Sequence, residues 1–497
     1  MIYKMKNISR RNFIKTAGTI GAANFLTSCS PSLVDITTPN NDNDFVVPPL
    51  AKVQKIGQQL TFNLEINKSQ HQFFKGVNTP TLGINQSYLG PVLRAKRGDT
   101  VTINVRNNLN EIATLHWHGM TLPANMDGGP HQEIQPGKTW QAHFQIRQEA
   151  CTTWYHSHTM HQTGRQVYHG LAGIFIIDDE HSKQLDLPNT YAVDDIPCTI
   201  QDRRFNQDGS LNYMSRMPDR MMGMQGSTVL VNGVITPTLR AKSTLLRLRL
   251  HNGSNARTYN LTFSDSRNFY VIASDCGFLA RPFQTNQIRL AAAERVEILV
   301  DVSDKQQIML KSLAGNDGGG MGMMRMMRSQ ELDIMMIDAR QAQASQHTIP
   351  STLLESQLVL NPIKAVTTRK FELEMAMMMG RRNSGNMFSI NGKTMDINRI
   401  DFQVKRNTTE IWEISNASAM PHPFHVHNVQ FRVLDRNGRA PHPTETGLKD
   451  VVLIHGGEVV RIIMAFPEYS DNKIPYMYHC HILEHEDQGM MGQFVVV

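Results

Sequence analysis

His479-Cys480-His481-Ile482-Leu483-Glu484-His485-Glu486-Asp487-Gln488-Gly489-Met490 brings a thiol, an imidazole and a thioether into one short stretch. In the order Cys480, His485, Met490 these are the donors of an electron-transferring copper site. Soft sulfur with imidazole suits copper, and a distant thioether tunes its potential. Neighbouring side chains of an extended chain point to opposite faces. With Cys480 facing one metal, His479 and His481 face the other way together. A few covalent bonds then join two metal sites, which is what an electron relay requires.

The remaining histidines follow the same grammar. His116-Trp117-His118, His156-Ser157-His158 and His425-Val426-His427 are i, i+2 pairs, and His479/His481 is the fourth. Each pair presents both imidazoles on one face of a strand. His422 lies three residues before His425, on the opposite face, and so belongs with Cys480. Eight paired imidazoles are too many for one ion and fit a cluster of about three. His422, Cys480, His485 and Met490 are left for a mononuclear site. Other histidines, among them His71, His143, His181, His251 and His347, lack such partners and read as structural.

His-Trp-His-Gly, Trp-Tyr-His-Ser-His, His-Pro-Phe-His-Val-His and the closing His-Cys-His-(x)3-His-(x)4-Met together resemble the multicopper oxidases, most closely bacterial cuprous oxidases and laccases. Thr163-Gly164-Arg165-Gln166 followed by Gly170-Leu171-Ala172-Gly173 is similar to the bacterial branch. The resemblance implies four coppers per chain. It implies a type 1 copper on His422, Cys480, His485 and Met490, and a type 2 copper on His116 and His425. His118, His156 and His481 would hold one type 3 copper, and His158, His427 and His479 the other. It also implies that Asp127 and Glu486 relay protons.

An internal repeat organises the chain. Thr100–Asn107, Leu245–Asn252 and Thr409–Asn416 each read as a strand with period-two alternation. Nine and eleven residues after Asn107 stand His116 and His118; nine and eleven after Asn416 stand His425 and His427. The same count from Asn252 reaches Leu261 and Phe263. The expectation is an all-β protein of three β-sandwich domains, the middle one a spacer with apolar residues at the ligand positions. The resemblance makes them cupredoxin-like Greek-key sandwiches. Boundaries are expected at 50–180, 181–345 and 346–497.

Ser9-Arg10-Arg11-Asn12-Phe13-Ile14-Lys15 reads as a twin-arginine export signal, and Leu26-Thr27-Ser28-Cys29 as a lipoprotein box with Cys29 acylated. Residues 1–29 thus read as a leader and 30–49 as a polar tether, which places the protein at the cell envelope, on the periplasmic side, with the membrane reached only through that anchor. The leader holds five of the 50 basic side chains and no acids, leaving 45 against 44 acidic ones. Near-neutrality gives no argument for nucleic acid as a partner. No apolar run reaches the ~18 residues of a membrane span. Cys151, Cys198 and Cys276 read as buried thiols rather than a disulfide framework. A monomer is expected, since one chain supplies every ligand.

The partners implied are dioxygen and a reductant, Cu(I) or a phenol. Methionine, with 29 residues, is clustered at Met217–Met224, at Met321, Met323, Met324, Met326 and Met327, and at Met375–Met379. Thioethers select Cu(I), so a cuprous oxidase that detoxifies copper is the leading expectation, with Met420 and the 321–327 methionines handling substrate copper. Cuprous oxidases also carry an Asp shortly before the first type 1 histidine; here Ser418-Ala419-Met420-Pro421 precedes His422. A laccase-like oxidase of phenols, amines or another metal is the second reading. A non-catalytic copper-binding envelope protein is the third.

Overall fold

The three repeat strands form with the expected bounds, Thr100–Asn107, Leu245–Asn252 and Thr409–Asn416. Their closing asparagines make one hydrogen-bond pattern three times. Asn107 Nδ2 donates to Glu111 O (2.8 Å) and Ile134 O (2.7 Å), and its Oδ1 accepts from Leu109 N (2.9 Å). Asn252 binds Arg257 O (2.7 Å), Leu290 O (2.9 Å) and Ser254 N (3.0 Å) in the same way. Asn416 binds Met420 O (2.7 Å), Ile454 O (3.0 Å) and Ser418 N (2.9 Å). Each buried amide satisfies backbone groups that a sharp corner would otherwise strand.

The computed structural model describes residues 43–315, 330–354, 356, 358–376 and 387–497. Arg10, Arg11 and Cys29 of the leader lie outside these residues, as do Met321, Met323, Met324, Met326 and Met327, and Met377, Met378 and Met379. The strands form six sheets that pack in three pairs. The first pair is a five-stranded sheet containing Gln59–His71, Thr100–Asn107 and Thr139–Gln145, and a four-stranded sheet of Leu93–Lys96, Ala172–Asp178, Cys151–His156 and His116–His118. Phe62, Val101 and Phe144 from one meet Leu93, Tyr155 and Phe175 from the other in a single core. The middle pair has seven and five strands, the third five and five. Every sheet contains one parallel pair within an otherwise antiparallel arrangement. Parallel neighbours cannot be joined by a hairpin. The chain therefore crosses between sheets, which gives the Greek-key, cupredoxin-like topology in all three copies.

The middle copy departs from the expected register. Its asparagine reaches the carbonyl five residues on (Arg257), whereas the other two reach four residues on (Glu111 and Met420). The corner is one residue longer, and a one-residue slip turns every side chain of the next strand over. Leu261 and Phe263 therefore enter the middle core, where Trp117 and Val426 enter the outer two. They are not counterparts of the histidines. Asn260, Thr262 and Ser264 alternate with them on the other face, and none is a copper ligand by type.

Two further differences concern the edges. The end of the expected tether is docked on the protein: Phe45 N donates to Thr238 O (3.0 Å), Asn232 Nδ2 to Val46 O (3.1 Å) and Tyr191 Oη to Pro48 O (2.6 Å). Any free tether thus ends before Asp44. Among the described residues Cys151, Cys198, Cys276 and Cys480 are free and buried, and no helix is long and apolar enough to cross a membrane.

Asn252→Ala strips two carbonyls and one N–H of their partner in a sandwich without any metal-ligand residue. It is expected to lower stability by at least about 2 kcal/mol, read as a loss in denaturant midpoint; an unchanged midpoint would refute the role assigned to the corner.

Candidate metal centre

The strand His422–Val426 pairs with Asp471–Cys480 so that Phe424 lies opposite Cys480 and His425 opposite His479. Alternation then sends His422 and Cys480 one way and His425 and His479 the other. His422 Nδ1 comes within 3.4 Å of Cys480 Sγ and His485 Nδ1 within 3.7 Å. Both imidazoles are held from behind, His422 Nε2 by Ser418 Oγ (2.9 Å) and His485 Nε2 by the Met221 carbonyl (3.0 Å). Phe388 stacks on His485 with centroids 3.9 Å apart. Gly489, at φ +90°, turns the chain back after the helix Leu483–Asp487. Met490 N then donates to His485 O (2.9 Å), and Cys480 N to Met490 O (3.0 Å). Met490 is fully buried in the core that contains Cys480.

On the other face the eight paired histidines meet between the first and third sandwiches, all buried. His116 stands opposite His156 across the strands His116–His118 and Cys151–His156. Nitrogens of His158, His427 and His479 converge, with Nε2 of His479 3.3 Å from His158 Nε2 and 3.2 Å from His427 Nε2. Donors of His116, His118 and His156 form a second group, and His116, His425 and His427 a third. His481 packs edge-on against His118, centroids 5.0 Å apart.

Two aspartates arrange the cluster with near two-fold symmetry. The Asp127 carbonyl accepts from His116 Nδ1 (2.9 Å), and its Oδ2 binds His427 Nδ1 (2.7 Å). The Asp450 carbonyl accepts from His425 Nδ1 (2.7 Å), and its Oδ1 binds His118 Nε2 (3.1 Å). Correspondingly His116 stacks on His427 at 3.9 Å and His118 on His425 at 3.7 Å. His156 Nδ1 donates to Ser157 O and His479 Nδ1 to Cys480 O (2.8 and 3.0 Å). Glu486 lies beside two rings, Oε1 3.2 Å from His158 Nδ1 and Oε2 3.3 Å from His479 Nδ1.

These contacts leave donors pointing inward with nothing to bind. Nε2 of His116, His156 and His425, Nδ1 of His118 and both nitrogens of His481 are buried without a hydrogen-bond partner. Burial pushes His116 and His422 down to about 3 and His479 to about 4, and the rest of the set well below the ordinary imidazole value. The rings are therefore neutral at pH 7, with lone pairs free for a metal. Stranded buried nitrogens are costly, and soft and borderline cations satisfy them. The residues fit copper on both faces of the Cys480 strand. Burial also raises the Asp127 and Glu486 carboxyls well above the carboxylate range.

The short helix Leu483–Asp487 ties this centre to its surroundings. Glu484 accepts from Asn255 Nδ2 (2.7 Å), Met224 N (2.9 Å) and Tyr213 Oη (3.1 Å). His485 meets Cys480, Glu486 meets two cluster histidines, and Asp487 accepts from Thr163 N (2.8 Å) and Gly164 N (2.9 Å). Sequence reasoning placed Asp127 and Glu486 but missed Asp450, which follows His427 after a long excursion. Neither its position nor its spacing ties it to a histidine pair in the sequence.

The multicopper oxidase family matches residues 65–182, 197–314 and 368–497, one stretch in each sandwich. The chain belongs to that family. It is 38% identical over 466 residues to multicopper oxidase mco of Staphylococcus haemolyticus, covering 93% of this chain and 94% of that protein. It is also 35% identical over 501 residues to the cell division protein FtsP of Photorhabdus laumondii, covering 99% of each. Among solved structures a laccase from Pediococcus acidilactici superposes with a TM-score of 0.82 at 32% identity, covering 93% of this chain and 95% of that one. Membership of the multicopper oxidases thus extends over all three sandwiches.

Proposed function

We propose that this multicopper oxidase couples the one-electron oxidation of Cu(I) to the reduction of dioxygen to water, as a copper-detoxifying enzyme of the cell envelope. The observation that carries the substrate is the wall of the mononuclear site. His485 is hydrogen-bonded to the backbone of Met221, within the methionine-bearing helix Met217–Met222. Met222 packs against the third core, Met224 is buried nearby in the chain, and Met420 is buried two residues before His422. A methionine-bearing segment thus backs one type 1 ligand and a buried methionine precedes another, and thioethers favour Cu(I).

Copper would be held as the resemblance implies: His422, Cys480, His485 and Met490 for type 1, His116 and His425 for type 2, and two triads for type 3, one of His118, His156 and His481 and the other of His158, His427 and His479. Four coppers held there would supply one-electron transfer from the substrate to dioxygen. The chain's own part is to hold and connect. Cys480 runs straight into His479 and His481, so the electron path is a few covalent bonds long. Ser418 and the Met221 carbonyl fix the outer nitrogens of His422 and His485 and turn Nδ1 toward the thiolate. Asp127 and Glu486 touch cluster rings and, among the described residues, pair with no Lys or Arg; we assign them the delivery of protons.

A second reading has its own observation. Ser418, a neutral hydroxyl, holds His422 where cuprous oxidases resemble one another in carrying an acid, and this suits an uncharged phenolic donor better than a metal cation. The FtsP likeness raises a third, non-catalytic role, against which stands the complete donor set. Arg10, Arg11 and Cys29 support twin-arginine export and acylation at Cys29; radiolabelled palmitate should enter the wild-type chain and not Cys29→Ala.

Oxygen uptake with Cu(I) against a phenol, alongside copper content and visible absorbance, separates the readings. About four coppers, a blue band and faster uptake with Cu(I) are expected; preference for the phenol would make this a laccase, and a colourless chain that cannot be reconstituted would end the oxidase reading. Deleting residues 321–327 should abolish Cu(I) oxidation and spare phenol oxidation. Asp127→Asn should slow oxygen uptake by about 10²–10⁴-fold with the blue band intact; loss of the band would instead mark a structural role.

A further inference from the structure

The middle sandwich contributes no copper ligand, yet one of its side chains reaches the cluster. Arg295, on the strand Arg295–Asp301, is completely buried. Its Nη1 donates to Asp450 Oδ1 (2.7 Å) and its Nη2 to Asp450 Oδ2 (2.5 Å). The other donors go to backbone carbonyls: Nε to Thr152 (2.9 Å), Nη1 to Ala293 (3.0 Å) and Nη2 to Asp275 (3.0 Å). All five guanidinium N–H groups are thus used. Thr152 lies on the strand that ends in His156. One guanidinium therefore joins all three sandwiches beside the cluster.

We infer that Arg295 is a positioning residue for the copper cluster, fixing through Asp450 which nitrogen of His118 faces the metal. The inference rests on the oxidase reading above. With both Asp450 oxygens accepting from Arg295, the carboxylate can only accept from His118, so His118 carries its proton on Nε2. Its Nδ1 is the buried nitrogen left without a partner. His116, His425 and His427 are held the opposite way, by Nδ1. His118 is thus the ring whose tautomer is reversed relative to these three, and it is the one whose aspartate has a cation behind it. The matching Asp127 has one oxygen without a hydrogen-bond partner.

Gly119 supplies a separate observation. It follows His118 at φ +81°, and a methyl group there would overlap Asp450 Oδ2 and crowd Arg295 Nη2. The glycine of His-Trp-His-Gly makes room for this pair. Cys276 Sγ, 3.1 Å from Asp450 Oδ2, closes the remaining side with a buried thiol from the middle sandwich.

The test compares wild type, Arg295→Met, Arg295→Lys and Gly119→Ala, each loaded with copper and challenged with graded chelator. Copper per chain, the near-ultraviolet absorption of the coupled pair and the blue band are read together. The blue band reports the fold and the type 1 site. Arg295→Met and Gly119→Ala are expected to lose cluster copper at about 10–100-fold lower chelator concentration, with the pair absorption falling and the blue band retained. Arg295→Lys keeps the charge but cannot grip both oxygens, and should show the same selective loss in milder form. If Arg295→Met does not fold, Arg295→Lys decides: selective loss supports the inference, and cluster copper held as tightly as in wild type overturns it. Wild type that takes up only the type 1 copper would overturn the oxidase reading itself, a result distinguishable from intact wild type with unaffected variants.

Discussion

Eight neutral imidazoles buried between two sandwiches are the constraint on which the rest depends. A buried ring nitrogen must be paired, and each ring has two. The protein pairs the outer nitrogen of most of them and leaves the inner one bare, or, in His158, His427 and His479, facing only another imidazole nitrogen. Carbonyls serve for His116, His156, His425 and His479, because a carbonyl accepts only and so settles the tautomer. Aspartates serve for His118 and His427. The inner atoms are then costly in the absence of a cation, so the fold stores a demand for metal at its centre.

Meeting that demand draws on the whole chain. Glu484, His485, Glu486 and Asp487 are consecutive, yet they reach the middle sandwich, the mononuclear site, the cluster and the first sandwich in turn. A helix this short would not form on its own; its contacts hold it. The same economy lets Asp450 serve two histidines while Arg295 braces it from the middle sandwich.

Much of this was legible in the sequence because it is local. Spacing by two exposes the histidine pairs, spacing by three separates His422 from them, and the strand-closing asparagines reveal the threefold repeat. What escaped is long-range. Asp450 and His118 are 332 positions apart, Arg295 and Asp450 155, and His485 and Met221 264. No periodicity connects such residues, and the Met221 contact is through backbone, which side-chain identity does not encode. Nor could counting from Asn252 detect a corner lengthened by one residue.

That extra residue has a consequence for how such proteins can change. The asparagine lock fixes the corner but tolerates four or five positions within it, and the choice decides which half of the following strand looks outward. A single inserted or deleted codon can therefore exchange the buried and outward rows of side chains at once, without touching the sheet pairing on which the sandwich stands. Gain or loss of a ligand-bearing face in a duplicated sandwich needs no stepwise rebuilding of its core; the row that would carry the ligands is already written in every other residue.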